Sequence, residues 1–160
     1  MLDVQMDGGK ELEDSLLELA KIYGPKSVSA VFNAPIKKAM GGMLTDVQSN
    51  TPVDSGDLKE SVALKVGKPS KSRLRNSQTI DETVASQGRV GWFWSKGSGV
   101  NSHAALSVEF GTQTTGAQPV LRKALQTGAG GAVQILKKEV GRSLDKTANR
   151  LAKKRAKGLI

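Results

Sequence analysis

The sequence of 160 residues has no cysteine, one histidine and few aromatic side chains. Without cysteine, a disulfide framework and a thiolate metal site are both excluded. No apolar run reaches the roughly 18 residues of a membrane span. The acidic start of the chain, Met1–Asp7, lacks the basic region and apolar stretch of a signal peptide. We therefore expect a protein that is made and kept in the cytoplasm, or packed into a particle assembled there.

The charge of the chain is strongly positive and unevenly placed. The formal net charge is +9, yet residues 1–65 carry 10 acidic and 7 basic side chains. Residues 132–157 carry 9 basic and 2 acidic side chains. A basic end on a nearly neutral body indicates an anionic partner, which could be nucleic acid, an acidic protein surface or a membrane face. The alternative is an ordinary solvated helix face.

Hydrophobic periodicity predicts helices at both ends of the chain. Apolar residues three or four apart predict amphipathic helices over 10–23 and 27–49. Pro35 removes a backbone donor from the second, so we expect a kink or break there. Pro119 fits the start of a helix that reaches about Thr127. After the glycines of 128–131, a last basic amphipathic helix is expected over 132–157.

The middle of the chain has the period of two that is typical of strands. Val62, Leu64 and Val66 alternate with smaller or polar residues, and strand character returns over 83–94 and 104–110. Residues 67–82 are polar and basic, which predicts a long exposed loop or hairpin tip.

These elements predict an α+β fold: N-terminal helices, a small antiparallel β-sheet of three to four strands with a long loop or hairpin, and C-terminal helices. We divide the chain into an α+β domain, residues 1–131, and a basic amphipathic helix, residues 132–160, packed on the same domain.

The residue types that catalysis uses do not fall into recognisable catalytic motifs in this sequence. His103 has no nearby Gly-x-Ser-x-Gly nucleophile motif, so a loop histidine is the simpler interpretation. The glycine-rich segment Lys96–Gly99 lacks the Gly-Lys-Ser/Thr ending of a phosphate-binding loop. The carboxylates of Asp54, Asp57 and Glu60 are better explained by turn capping. We predict no enzymatic activity, no metal site and no cofactor.

Two further features suggest contacts between subunits. Glu109 stands among apolar residues, and a buried carboxylate needs a donor. Arg122 or Lys123 of the same chain could supply it, and so could a neighbouring subunit. Alternation places Trp92 and Trp94 on one face of a strand and Phe93 on the other. These aromatic rings could pack in the core, anchor an interface or, with less support, stack on bases.

Three segments carry a family resemblance. They are GKELE from Gly9; NTPVDSGDLKESV from Asn50, the first signature; and VEFGT from Val108 with QPVLRKAL from Gln118, together the second signature. In that order they resemble the neck and tail-completion family of tailed bacteriophages. In that family a helix ends at a Pro-x-x-(Ser/Thr)-Gly-x-Leu turn, here Pro52, Ser55 and Gly56. A Glu-Phe-Gly-Thr strand end then precedes a helix led by proline, here Pro119.

The resemblance implies a structural protein of the virion, assembled in the host cytoplasm. Such a protein would form a ring at the head–tail junction, six-fold by preference and twelve-fold as the next choice, with genomic DNA passing through the lumen. Its partners would be further copies of itself, the adjacent head-closure or connector proteins, and tail-terminator or tail-tube proteins, with no membrane.

The resemblance also suggests which residues make contacts. The expected interface residues are Glu109, Phe110, Gly111, Thr112, Trp92 and Trp94. The expected DNA-facing or inter-ring residues are Lys68, Lys71, Arg73, Arg75, Lys153, Lys154, Arg155 and Lys157. Two alternatives stay open: another tail ring component such as a terminator, and a basic architectural nucleic-acid-binding protein.

Overall fold

A computed structural model describes residues 17, 20–21, 25–54, 56–76, 84, 86–93 and 102–158. The predicted helix 10–23 falls mostly outside these residues, although Leu17, Ala20 and Lys21 are helical. The elements in chain order are α1 (Pro25–Ala39), α2 (Gly41–Asn50), α3 (Asp57–Glu60), β1 (Val62–Gly67), α4 (Lys71–Asn76), β2 (Gln87–Trp92), α5 (Ser102–Phe110) and α6 (Val120–Ala156).

The described sheet is one antiparallel pair, β1 and β2, in a register that runs from Val62 opposite Trp92 to Gly67 opposite Gln87. The predicted alternation in β1 is confirmed as a strand, which begins at Val62 after the single turn of α3. Val62 and its partner Trp92 share the face that packs on the core.

The core lies where α2, β1 and α6 meet. Val47, Val62, Val120 and Ala124 form its buried centre. Partly buried side chains from β2 and α5 surround them, including Val90, Trp92 and Val108. A helical layer on one face of a small sheet therefore holds the fold together.

The sequence led us to expect a kink or break at Pro35, and a break is wrong. Helix α1 runs through Pro35 to Ala39, and the interruption lies at Met40 instead. Hydrogen bonds of 3.0 Å from the Met40 N–H to Ile36 and from the Leu44 N–H to the Met40 carbonyl continue across the junction. Because Pro35 is buried, packing of its ring offsets the lost backbone hydrogen bond.

The expected interruption at the glycines of 128–131 is also wrong, since α6 is one helix of 37 residues. It lies antiparallel to α1 and α2: Gly128 lies against Met43, and Glu139 lies against Lys38. Tertiary packing supports helix where glycine alone disfavours it. The boundary drawn at residue 131 falls inside this continuous helix.

Two other predicted segments differ in the structure. Residues 104–110, predicted as a strand, belong to helix α5. The predicted exposed loop 67–82 contains the short helix α4, and Pro69 before it is buried. The fold is mixed α and β and mostly helical, and the described residues contain two strands rather than three to four.

Candidate functional site

The two parts of the second signature form one rigid corner between α5 and α6. Gly111 ends α5 with a φ of +78°, and its N–H donates to the Ser107 carbonyl at 2.8 Å. A side chain at Gly111 would meet the Ala117 nitrogen at 2.8 Å and the Thr115 carbonyl at 2.9 Å. Both the backbone conformation and the close approach therefore require glycine.

Thr112 organises the turn that follows. Its hydroxyl accepts hydrogen bonds from the N–H groups of Thr115 at 3.0 Å and Thr114 at 3.3 Å. The Thr112 N–H in turn donates to the Thr115 carbonyl at 2.9 Å. Further on, the Gln118 N–H donates to the Val108 carbonyl at 2.7 Å and ties the end of the loop back to α5.

Glu109 caps the start of α6. The Pro119 carbonyl accepts the first helical hydrogen bond, from the Lys123 N–H at 3.0 Å, but the proline side chain cannot cap the helix. The Glu109 carboxylate supplies the missing acceptors, taking hydrogen bonds from the Leu121 N–H at 3.0 Å and the Arg122 N–H at 3.1 Å. Its negative charge also suits the positive end of the helix dipole.

Glu109 is thus buried, at 7% exposure, and it is paired within the chain. The Arg122 guanidinium adds a weaker charge contact, with Nε 3.9 Å from the Glu109 carboxylate. The sequence left open whether the partner of Glu109 comes from the same chain or from a neighbouring subunit, and the structure provides one in the same chain. The two backbone N–H groups are closer to the carboxylate than the Arg122 guanidinium is. The carboxylate positions the corner.

The outer side of this corner is apolar and open. Phe110 is 66% exposed and Leu106, one helical turn earlier, is 55% exposed. The Arg122 guanidinium lies over the Phe110 ring, 5.6 Å from its centroid. Residues four apart share one face of a helix, so Leu106 and Phe110 form an apolar pair beside a cation.

The first signature meets the second in the core. Gly56 in its turn has a φ of +92°, a left-handed conformation that glycine adopts at little cost. Pro52 is half-buried, and Ser55 lies outside the described residues. Thr51 is buried, and its hydroxyl donates to the Val47 carbonyl at 2.6 Å. Val62 at the end of this signature packs in the same cluster as Val120 of the second.

The Trp92 ring belongs to this core. Its Nε1–H donates to the Thr51 hydroxyl at 3.3 Å, and its ring packs on the buried cluster while staying half-buried. Trp94 lies outside the described residues. An interface role for both tryptophans stays a prediction.

Phe93 follows the end of β2 and lies between two cations. Lys65 and Arg89 are direct partners across β1 and β2. The Lys65 Nζ lies 4.3 Å and the Arg89 Cζ 5.4 Å from the centre of the Phe93 ring. Directly opposed like charges are unfavourable, and contact with an aromatic face offsets part of that cost. This basic pair was missed by the sequence interpretation, because only the register brings the two residues together.

The predicted basic contact residues divide into exposed and inward-facing ones. Lys68, Lys71 and Arg75 are exposed, as are Lys153, Lys154 and Lys157 near the end of α6. Arg73 is different, because it is half-buried and its Nη1 atom is shielded from solvent. Arg73 is therefore not a free surface cation. The side chain of Arg155 lies outside what the structure describes.

Other kinds of site find little support in the described part of the chain. None of its helices is both long and apolar enough to cross a membrane. Among the same residues, no three His, Asp or Glu side chains are grouped as metal ligands. His103 is exposed on α5.

Comparison with known proteins adds nothing to these observations: no protein-family model, curated protein or solved structure matches the chain.

Proposed function

We propose that the chain is a structural protein of the bacteriophage head–tail junction, a neck or tail-completion component that forms a ring in the virion. Its partners would be further copies of itself, six-fold by preference and twelve-fold otherwise, together with head-closure or connector and tail-terminator or tail-tube proteins. Genomic DNA would pass through the lumen. The proposed domain has a sheet of three to four strands, to which β1 and β2 belong.

The α5–α6 corner supports the proposal independently of the family resemblance. The corner formed by the second signature is fixed from inside by Glu109 and presents Leu106 and Phe110 outward. A rigid apolar pair flanked by Arg122 has the character of an interface anchor, because aromatic and arginine side chains are enriched at such positions. Leu106 and Phe110 would contact the neighbouring subunit of the ring.

The exposed lysines near the end of α6 would contact DNA in the lumen or an adjacent ring of the virion. In a ring, equivalent helices would add their positive potential, which suits DNA or an acidic neighbouring ring. Neutralising Lys153, Lys154, Arg155 and Lys157 is expected to impair joining or DNA retention without unfolding the protein. Unchanged infectivity would remove this part of the proposal.

The direct test is electron microscopy of a lysate from phage with a nonsense mutation in this gene. Filled heads beside unattached or abnormal-length tails are expected if the protein completes or joins the tail. Which half is defective would separate a neck position from a terminator position. Normal, joined, infectious particles would overturn the proposal.

The interface is tested by complementing that mutant with altered proteins. Phe110→Ser should abolish joined particles, because it removes the exposed anchor. Val53→Ser is the matched control, since Val53 is a similarly exposed apolar residue at 64% and lies outside the corner. Each purified variant should keep its far-ultraviolet circular dichroism. Full rescue by the Phe110 variant would exclude this corner as an essential interface.

The alternative is a basic architectural nucleic-acid-binding protein. The cluster of Lys65 and Arg89 around the Phe93 ring and the exposed lysines of α6 favour it. Its test is a gel shift with the isolated monomer and duplex DNA at physiological salt. A complex that persists there, and weakens steeply as salt rises, would favour the alternative over the ring.

A further inference from the structure

A cavity of about 460 Å³ opens between the α1–α2 junction, β2 and the first turns of α6. Met40, Met43 and Leu121 contribute to a largely apolar wall, and Leu125 lies at the edge with 59% of its surface exposed. This volume is in the range of cavities that hold a small ligand or a few side chains. Because Leu125 is so exposed, the apolar surface continues outside the cavity.

Arg73 gives this apolar cavity a positive charge. It reaches the wall from α4, and its Nη1 atom is buried without a hydrogen-bond partner among the described residues. A buried guanidinium nitrogen that lacks an acceptor is unfavourable, and a bound carboxylate would supply that acceptor with a charge-assisted hydrogen bond. Arg89 adds a second cation to the wall, beside the Phe93 ring.

These features fit an acidic peptide better than DNA. Duplex DNA presents its phosphates on a convex backbone, which suits exposed lysines and cannot place an apolar group in a concave cavity. A peptide segment can insert a large side chain and set a neighbouring Glu or Asp against the arginine. The net charge of +9 attracts both kinds of partner at long range, so the choice depends on the shape and the apolar wall of the cavity.

We propose that this cavity binds an acidic peptide segment of a partner protein, with a large apolar side chain inside it and an adjacent carboxylate on Arg73. The site adjoins the α5–α6 corner through Leu121, but it faces the α1–α2 junction and does not depend on the ring proposal. The cavity would recognise any segment in which a carboxylate stands next to a large apolar side chain.

The first test measures binding of two labelled peptides to the full chain by fluorescence anisotropy. The acidic probe is Gly-Glu-Leu-Glu-Leu-Glu-Gly, and the neutral probe has Gln in place of each Glu. We expect the neutral peptide to bind at least about tenfold more weakly, the usual effect of losing a hydrogen bond between charged groups. Equal affinities, or no binding of either peptide, would overturn the proposal.

Two arginine variants locate the effect. Arg73→Gln should reduce the affinity for the acidic peptide to that for the neutral one. Arg75→Gln is the matched control, because Arg75 is exposed on the same short helix. It should change the affinity less than about twofold. Equal losses in both variants would indicate general charge attraction and contradict a defined site.

The third measurement uses the unaltered protein and so does not depend on the stability of any variant. The chain has four methionines, of which Met40 and Met43 line the cavity. With methyl-labelled methionine, the acidic peptide should shift the Met40 and Met43 signals. Unmoved Met40 and Met43 signals, or displacement of the peptide by duplex DNA at physiological salt, would contradict the proposal.

Discussion

The Lys38 Nζ lies 2.8 Å from a Glu139 carboxylate oxygen and joins α1 to α6 across 101 residues of sequence. Arg142, one turn further along α6, donates to the same oxygen at 3.0 Å. The hydrogen bond from Lys38 is the main reason that the pKa of Glu139 lies below its ordinary value, and Arg142 lowers that pKa further. The Glu139 side chain is 18% exposed, whereas both cations are largely exposed.

Stability should therefore fall as the solution becomes acidic. A lowered pKa in the folded state adds stability that is present above the unfolded pKa, about 4.3 for Glu. That stability is lost as the pH falls through the lower folded pKa. Urea unfolding of the wild type and of Lys38→Met between neutral and acidic pH measures it. The difference between the two proteins should shrink below about pH 4, and a difference independent of pH would contradict the ion pair.

Removing the cap from α6 should destabilise the protein. Glu109→Ala leaves the N–H groups of Leu121 and Arg122 without their acceptors and should cost about 2–3 kcal/mol in free energy of unfolding. Glu109→Gln keeps one acceptor oxygen and should cost about 1–2 kcal/mol. Urea denaturation measures both values.

The control for the cap is Glu60→Gln, which alters an exposed carboxylate on α3. It should stay within about 0.5 kcal/mol of the wild type. If Glu109→Gln were equally harmless, the buried cap would not contribute to folding.

The continuity of α6 can be tested with two neighbouring glycines. Apart from the nearby backbone of α6 itself, nothing lies within 4 Å of the position that a Cβ at Gly130 would take. Gly130→Ala should therefore stabilise the protein by about 1 kcal/mol. At Gly128 the new methyl would come within 2.7 Å of Met43 Cγ, so Gly128→Ala should lose most of that gain. Thermal unfolding compares them. No stabilisation at Gly130 would favour an interruption of the helix.

The sheet contains a similar pair of glycines. A methyl at Gly88 would collide with Met40 Sδ and with Ile36, a stiff β-branched residue. Gly88→Ala should destabilise by about 1–3 kcal/mol, the usual range for overpacking. Gly91→Ala, in the same strand with no such neighbour, should be close to neutral. Equal effects in urea unfolding would exclude close packing of β2 on the α1–α2 junction.

Some elements were predictable because their signals are local. The alternation of Val62, Leu64 and Val66 indicated β1, the residues around Gly56 indicated a turn, and Pro119 indicated the start of α6. Each depends on backbone geometry within a few residues, which sequence alone describes. The sequence also predicted that Glu109 has a hydrogen-bond donor or a cation as its partner, since any buried carboxylate requires one.

Helix α5 shows why local patterns can fail. Leu106 and Phe110 are four residues apart, so they share a face in a strand and in a helix alike. The buried residues Ala105 and Glu109 are also four apart, so the spacing of the buried positions fits a strand and a helix equally. The N–H groups that Glu109 caps belong to Leu121 and Arg122, which lie 12 and 13 residues after it in the sequence. No local pattern spans that distance.

The sequence by itself determined the class of fold, the basic character of the chain and the residues of its tight turns, because composition and short-range sterics suffice for these. Only the tertiary structure decided that α6 continues through its glycines, that Glu109 caps a helix and that Arg73 turns inward. These outcomes depend on contacts between segments far apart in the chain, whose packing free energy exceeds local conformational preference.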